Sequence, residues 1–430
     1  FSAKKKMKIV DSIDNLLLNN EIKHRKHPGI IKPLNTRYPQ WLLPAVQMIL
    51  SDEMMPVQIV CQNGEKLARH LLGRLVPPEG DELKIKVQKV KSTLKERRPA
   101  DQDEDDTILM DTKEARILLK QHIHNAQTVE YTRMNSFSYL ATRSVQDYSV
   151  LHKILREIDA LDNNFKPETL FDFGSGTGTV MWAASEFWVD SIKEYVCVDI
   201  SKNMNDLSEK LIKNASPAID LRKIFYREYL SGSAKQNYDI VVSAYSLLQL
   251  PNLKSRIDVI ANLWRKTGHY LVIVEDGTNA GYRVINEARD FILNYGDKSS
   301  EHRQNRHVFS PCPHDLACPR YTADNTPCNF AVSYETLPLS GPAKQLRGLY
   351  SYVILKKGQR PENDARWPRI VRPVLRRNKH VICRMCTSAG NLEEQIFTKM
   401  KNGRNTYRCA KSSEWGDRLP CEWEKVEEDV

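Results

Sequence analysis

From Thr169 the chain alternates short apolar runs with polar, helix-capable segments. The runs fall at Leu170–Phe173, Tyr195–Val198, Ile224–Tyr226, Tyr238–Val242 and Tyr270–Val274. Apolar runs this short read as buried strands, and strands that alternate with helices predict parallel βαβ units in a doubly wound sheet. Phe330–Tyr334 and Tyr350–Leu355 are placed to close that sheet as an antiparallel hairpin. Before Thr169 the apolar period is helical, as in Ile9, Ile13, Leu16 and Leu17, and again in Leu151, Ile154, Leu155 and Ile158. A basic stretch, Lys84 to Arg98, runs into the acidic stretch Asp101–Asp106, and the two read as a solvated loop. After Lys357 the chain turns rich in Pro and Arg and then gains cysteines. These patterns predict a helical region over 1–125, an α/β domain over 126–357 with a cysteine-rich insertion at 300–330, and a basic extension over 358–430.

A length of 430 residues fits two or three domains at ~100–200 residues each. No run approaches the ~18 consecutive apolar residues of a membrane-crossing helix, so no membrane partner is expected. The 64 Lys and Arg against 54 Asp and Glu leave a net charge of +10, which suits a polyanionic partner without naming one. Of nine cysteines, all but Cys61 and Cys197 lie beyond residue 311. An odd number clustered late in a large chain argues for a metal site in a reducing compartment over a disulfide scaffold. The chain opens at Phe1 without an initiator Met, which fits a removed targeting peptide or a trimmed chain.

The first strand leads into Asp172-Phe173-Gly174-Ser175-Gly176-Thr177-Gly178 and then a helix-capable segment. Glycines there let the backbone turn tightly and approach a ligand. Asp199 closes the next strand, 21 residues beyond Gly178 and near the ~20 expected of a ribose-binding carboxylate. The G-x-G-x-G spacing resembles the first motif of class I S-adenosylmethionine-dependent methyltransferases more than the dinucleotide fingerprint. That resemblance implies a Rossmann-like class I methyltransferase core with a cofactor site at Asp172, Gly174, Ser175, Gly176, Gly178 and Asp199. A Rossmann-like domain that has lost its ligand is the alternative. The fourth strand ends in Ser243-Ala244-Tyr245-Ser246, without the Asp/Asn-Pro-Pro-aromatic motif of amine methyltransferases and without a cysteine nucleophile. Glu275 and Asp276 follow the fifth strand, where a strand-end or helix-cap role suits them equally. No catalytic residue is assigned.

Cys312, Cys318 and Cys328 form C-x5-C-x9-C, and Cys383 and Cys386 form C-x2-C. Three close cysteines are an incomplete set, since tetrahedral zinc and cubane clusters both want four ligands. The fourth must come from the later pair. On spacing alone structural zinc is favoured over an iron–sulfur cluster, and the C-x3-C-x2-C pattern of radical enzymes is absent. His307 and His314 are expected to contact backbone or nucleic acid, and Cys61 and Cys197 to be core residues.

Three segments carry a more specific resemblance: Phe171–Thr179, His307-Val308-Phe309-Ser310-Pro311-Cys312-Pro313-His314, and Arg366-Trp367-Pro368-Arg369-Ile370. Together they closely resemble the methyltransferase-like protein 17 family of mitochondrial small ribosomal subunit assembly factors, over about residues 130 to 420. The resemblance implies a 4Fe–4S cluster on Cys312, Cys318, Cys328 and Cys386, with Cys383 competing for the fourth place. It also implies binding to immature small-subunit rRNA beside ribosomal proteins and other assembly factors, as a monomer within the particle in the mitochondrial matrix. It further implies that S-adenosylmethionine binding is retained and methyl transfer lost. Residues 356–380 agree with an RNA partner: nine Lys or Arg face only Glu362 and Asp364. The expected contacts are Arg366, Arg369, Arg372, Arg376 and Arg377. The rival functions are an active rRNA methyltransferase and an electron-transfer iron–sulfur protein.

Overall fold

The computed structural model describes residues 6–31, 35–96, 112–123, 126–214, 219–232, 236–294, 305–324 and 326–423. It begins with β1 (Met7–Ile9), α1 (Asp11–Leu18) and β2 (Asn35–Thr36), followed by the helices α2 (Leu42–Asp52), α3 (Val57–Leu72), α4 (Gly80–Glu96), α5 (Lys113–Ile123), α6 (Arg133–Thr142) and α7 (Ser144–Leu161). The α/β core then runs β3 (Thr169–Phe173), α8 (Thr179–Trp188), β4 (Glu194–Val198), α9 (Lys202–Asn214), β5 (Ile224–Arg227), β6 (Tyr238–Ala244), α10 (Leu253–Lys266), β7 (Thr267–Asp276) and α11 (Asn279–Leu293). It closes with β8 (Arg306–Ser310), β9 (Phe330–Glu335) and β10 (Gln345–Lys357).

The central sheet has the order β2-β9-β10-β7-β6-β3-β4-β5, with β8 also beside β10. β5, β4, β3, β6 and β7 are parallel, and β10 runs antiparallel between β7 and the β8/β9 edge. Counted within the domain this is 3-2-1-4-5-7-6 with a reversed seventh strand, the arrangement of a class I methyltransferase fold. Both faces are covered, so the strands are apolar on both sides. Leu170, Ile240, Val242 and Val272 face one core with α7 and α8; Phe171, Val241, Leu271 and Ile273 face the other with α10 and α11. The expected hairpin is present, pairing Phe330 with Tyr350. The cysteine segment leaves the sheet at Ser310 and returns at Phe330, so it splits one edge strand into β8 and β9.

Two expectations are corrected. The basic stretch from Lys84 is not a loop up to Glu96 but the helix α4, because Val90 and Leu94 lie one turn apart and pack on Ala115 of α5. The acidic run Asp101–Asp106 lies outside the described residues. Residues 7–17 also do not belong with the helical region. β1 pairs antiparallel with β15 (Cys421–Trp423), and Met7, Ile9, Ile13 and Leu17 fill a core with the C-terminal residues Ile370, Met385, Phe397 and Leu419. That C-terminal unit contains β11 (Arg369–Ile370), β12 (Leu375–Arg376), β13 (Val381–Cys386), β14 (Leu392–Phe397), α12 (Lys399–Asn402) and α13 (Arg404–Ser412). Among the described residues no helix is long and apolar enough to cross a membrane.

Candidate cofactor cleft and cysteine site

The strand order reverses between β3 and β6, where the carboxyl ends of parallel strands diverge and leave a crevice. A cleft of about 490 Å³ opens there. Its wall is the glycine loop. Gly174, Gly176 and Gly178 have φ of +75°, +51° and +87°, a region that side chains disfavour. A Cβ on Gly174 would fall 1.9 Å from Ser246 Oγ, whereas one on Gly176 meets only Gly174 O at 4.0 Å and would project into open space. The Asp199 carboxylate holds the loop, accepting from Gly176 N and Ser201 N at 2.8 Å each. Burial raises the Asp199 pKa, and these two hydrogen bonds oppose the rise. Of the six residues expected at the cofactor, Gly174, Gly176 and Asp199 line the cleft. The other three do not line it but shape the loop from behind. Gly178 caps α8, Ser175 is buried, and Asp172 lies fully buried on β3 with neither carboxylate oxygen hydrogen-bonded. Burial, reinforced by Asp199, pushes Asp172 well above the usual carboxylate range.

The polar groups at the ends of β6 and β7 are engaged internally. Ser246 Oγ donates to Phe173 O at 3.0 Å and lies 2.9 Å from Ala244 O. Glu275 accepts from Leu248 N at 3.1 Å, and burial pushes it up to about 8. Asp276 pairs at 2.6 Å with Arg143, which also pairs at 2.9 Å with Asp147. Tyr245 lines the cleft with φ +58°, a costly conformation for a bulky residue, and the Arg143 guanidinium lies 4.9 Å from its ring centroid.

The cysteines separate into two groups in space. The Cys386 thiol is raised by burial and then by Cys312, Cys328 and Cys318, while Cys328 is raised by burial and then by Cys318 and Cys312. These four therefore lie within electrostatic reach of one another. Cys383 belongs to the C-terminal core, where burial pushes it up to about 12 and Arg376 is the charge that acts on it. Cys421 is raised by burial and then by Cys409 and Cys383. The alternation of β13 causes the split. Cys383 faces into the C-terminal core, and Cys386 ends the strand beside the insertion. Among the described residues no three His, Cys, Asp or Glu side chains gather as for a single metal ion.

Around the quartet, His314 Nε2 lies 3.2 Å from Cys386 Sγ and Tyr282 Oη lies 3.1 Å from Cys318 Sγ. His314 thus meets a sulfur rather than backbone or nucleic acid, while His307 Nδ1 does meet a backbone carbonyl, Gly358 O, at 3.0 Å. Arg289 of α11 donates to His314 O at 3.2 Å and Leu316 O at 2.6 Å. Nothing in the sequence marked Tyr282 or Arg289, because a polar residue on an amphipathic helix carries no spacing signal.

The basic segment divides as well. Arg369 was expected to contact RNA, but it is buried and cannot. Its guanidinium donates to Pro311 O (3.0 Å), Gly416 O (2.7 Å) and Ser310 Oγ (2.8 Å) and pairs with Glu157. Arg376 donates to Lys411 O (2.8 Å) and Ser413 O (2.7 Å), and Arg372 to Thr326 Oγ1 (2.9 Å). Arg366 and Arg377 are exposed. One face of Trp367 is already met by Arg418, 5.1 Å from the ring centroid.

The sequence matches the family model described as "Mitochondrial small ribosomal subunit Rsm22" over residues 133–420. A human protein named ribosome assembly protein METTL17, mitochondrial, is 38% identical over 401 residues, which span 92% of this chain and 86% of that one. The Saccharomyces cerevisiae ribosome assembly protein RSM22, mitochondrial, is 22% identical, over 66% of this chain and 67% of its own. Among solved structures, a SAM-dependent methyltransferase from Aquifex aeolicus aligns with a TM-score of 0.31 at 12% identity, over 52% of this chain and 99% of that one.

Proposed function

This chain belongs to the Rsm22 family of the mitochondrial small ribosomal subunit, and from that membership we propose that it is an assembly factor binding immature small-subunit rRNA in the mitochondrial matrix. The observation that carries the proposal is the 38% identity, over 92% of the chain, to a protein named for ribosome assembly. The contact surface is the C-terminal unit, where Arg366, Arg377 and Lys379 are exposed. Cations there would neutralise phosphates, so binding should weaken as salt rises. The test is sedimentation of mitochondrial extracts with crosslinking to RNA. The protein is expected to travel with small-subunit precursors, and charge reversal at Arg366 and Arg377 to reduce the rRNA crosslinks by tenfold or more. A protein absent from those precursors would sink the reading.

Cys312, Cys318, Cys328 and Cys386 fit a 4Fe–4S cluster as four thiols converging from the insertion and β13. A tetrahedral zinc with Zn–S bonds of about 2.3 Å pulls its sulfurs into close contact, whereas a cubane spreads them over four corners. The guanidinium groups of Arg289, Arg369 and Arg320 act on Cys312 and Cys328 and suit a negatively charged group. When bound, the cluster supplies a covalent clip between insertion and C-terminal unit rather than a reaction.

The cleft supports S-adenosylmethionine binding without transfer. The unobstructed space at Gly176 and the carboxylate of Asp199 with half of its lone pairs unused fit a ligand there. Ser246, Glu275 and Asp276 are committed to internal bonds, so the described residues offer no obvious base. Asp199→Ala is expected to weaken S-adenosylmethionine binding by tenfold or more in calorimetry, with no methyl transfer to rRNA by either protein. Labelled methyl incorporation that Asp199→Ala abolishes would establish the active-methyltransferase rival.

A further inference from the structure

We propose that the cysteine site carries its own shell of sulfur-directed donors, Tyr282 to Cys318 and His314 to Cys386, and that these positioning residues set the potential and lifetime of the bound cluster. The inference deepens the iron–sulfur reading and rests on it. Each donor serves a different cysteine, and both are buried, at 6% and 2% exposure. Tyr282 Oη is 3.1 Å from Cys318 Sγ, and His314 Nε2 is 3.2 Å from Cys386 Sγ. As free thiols those cysteines could donate the proton themselves. Ligation removes it, and a thiolate only accepts, so the hydroxyl and the ring N–H must then point at sulfur.

Arg289 works from the same helix face as Tyr282, two turns further on. Its Nη2 donates to the carbonyls of His314 and Leu316, which fixes the loop between Cys312 and Cys318. Its Nε is buried without a hydrogen-bond partner. Tyr282 and Arg289 belong to the α/β core rather than to the insertion, so the core itself grips the cluster. Donors to a cluster's sulfurs stabilise its more negative, reduced form, which raises the potential, and they hold ligands against exchange.

The experiment uses the full chain purified without oxygen, comparing wild type with Tyr282→Phe, His314→Leu and His314→Gln. Iron and sulfide are assayed first, then the midpoint potential by reductive titration and the rate of cluster loss in air. Tyr282→Phe and His314→Leu are expected to keep their iron and sulfide, to show a lower potential and to lose the cluster several-fold faster. His314→Gln, which keeps an N–H, is expected to stay near wild type. Loaded variants with wild-type potential and lifetime would overturn the inference and leave the cluster reading standing. Wild-type protein with stoichiometric zinc and no sulfide would overturn both. Should Tyr282→Phe load no cluster, the two His314 variants decide on the same readouts.

Discussion

On the proposed cluster assignment, replacing Cys386 with Ala is expected to remove the iron and sulfide of the anaerobically purified protein, while Cys383→Ala is expected to leave both near about four each per chain. The two cysteines are separated by two residues, but only one reaches the quartet. Cys386 responds to Cys312, Cys328 and Cys318, whereas Cys383 is fully buried among Val381, Met385 and Phe397. Cys383→Ala removes one sulfur from an apolar core and costs on the order of 1–2 kcal/mol without touching the site. Cys386→Ala instead unties β13 from the insertion. Because a bound metal group contributes its binding free energy to the fold that houses it, the C-terminal unit should then become protease-sensitive. Equal loss of iron in both variants, or retention in Cys386→Ala, would refute this assignment of the fourth ligand.

Arg369→Met should destabilise the protein by about 3–5 kcal/mol, the usual cost of leaving one member of a buried ion pair uncompensated. Arg369 and Glu157 are each 3% exposed in their side chains, and Arg369 also serves Pro311 O, Gly416 O and Ser310 Oγ. It therefore joins α7 of the core, the start of the cysteine segment and the C-terminal unit through one guanidinium. Burial alone would raise Glu157, but Arg369 and the hydroxyls of Tyr352 and Ser310 outweigh it and hold the carboxyl below its ordinary value. A depressed carboxyl stabilises the fold above its unfolded pKa of about 4.3, and that contribution is lost as pH falls through the folded value. In Arg369→Met burial is no longer offset, Glu157 rises, and the penalty grows from acid towards neutral pH. The stability gap in urea titrations should thus be full at pH 7 and narrow below about pH 4. Arg369→Met with Glu157→Gln should recover part of the loss, since the stranded charge is gone. A gap independent of pH would mean that lost packing, not the ion pair, dominates.

These results show where a single sequence is legible. The β3 loop was readable because three glycines and Asp199 obey local rules: positive φ disfavours a side chain, and a strand-end carboxylate reaches back to loop amides. Asp172 satisfied the same motif but does not line the cleft, because strand alternation points it beneath the loop. The basic segment shows the opposite limit. Charge counting treats Arg366 and Arg369 alike, and only the approach of Glu157, 212 residues away, turns Arg369 inward.

The sequence by itself determined the alternating strands, the glycine loop, the grouping of the cysteines and the family resemblance. Each of these is written in residues that are neighbours or nearly so, and short-range sterics and hydrophobic period decide them. Only the tertiary structure decided that Cys386 and not Cys383 meets the quartet, and that Tyr282 and Arg289 face it. It alone joined Met7–Ile9 to Cys421–Trp423 through β1 and β15. Those facts depend on which distant surfaces bury one another, and the free energy of burial is non-directional and carries no record of chain position.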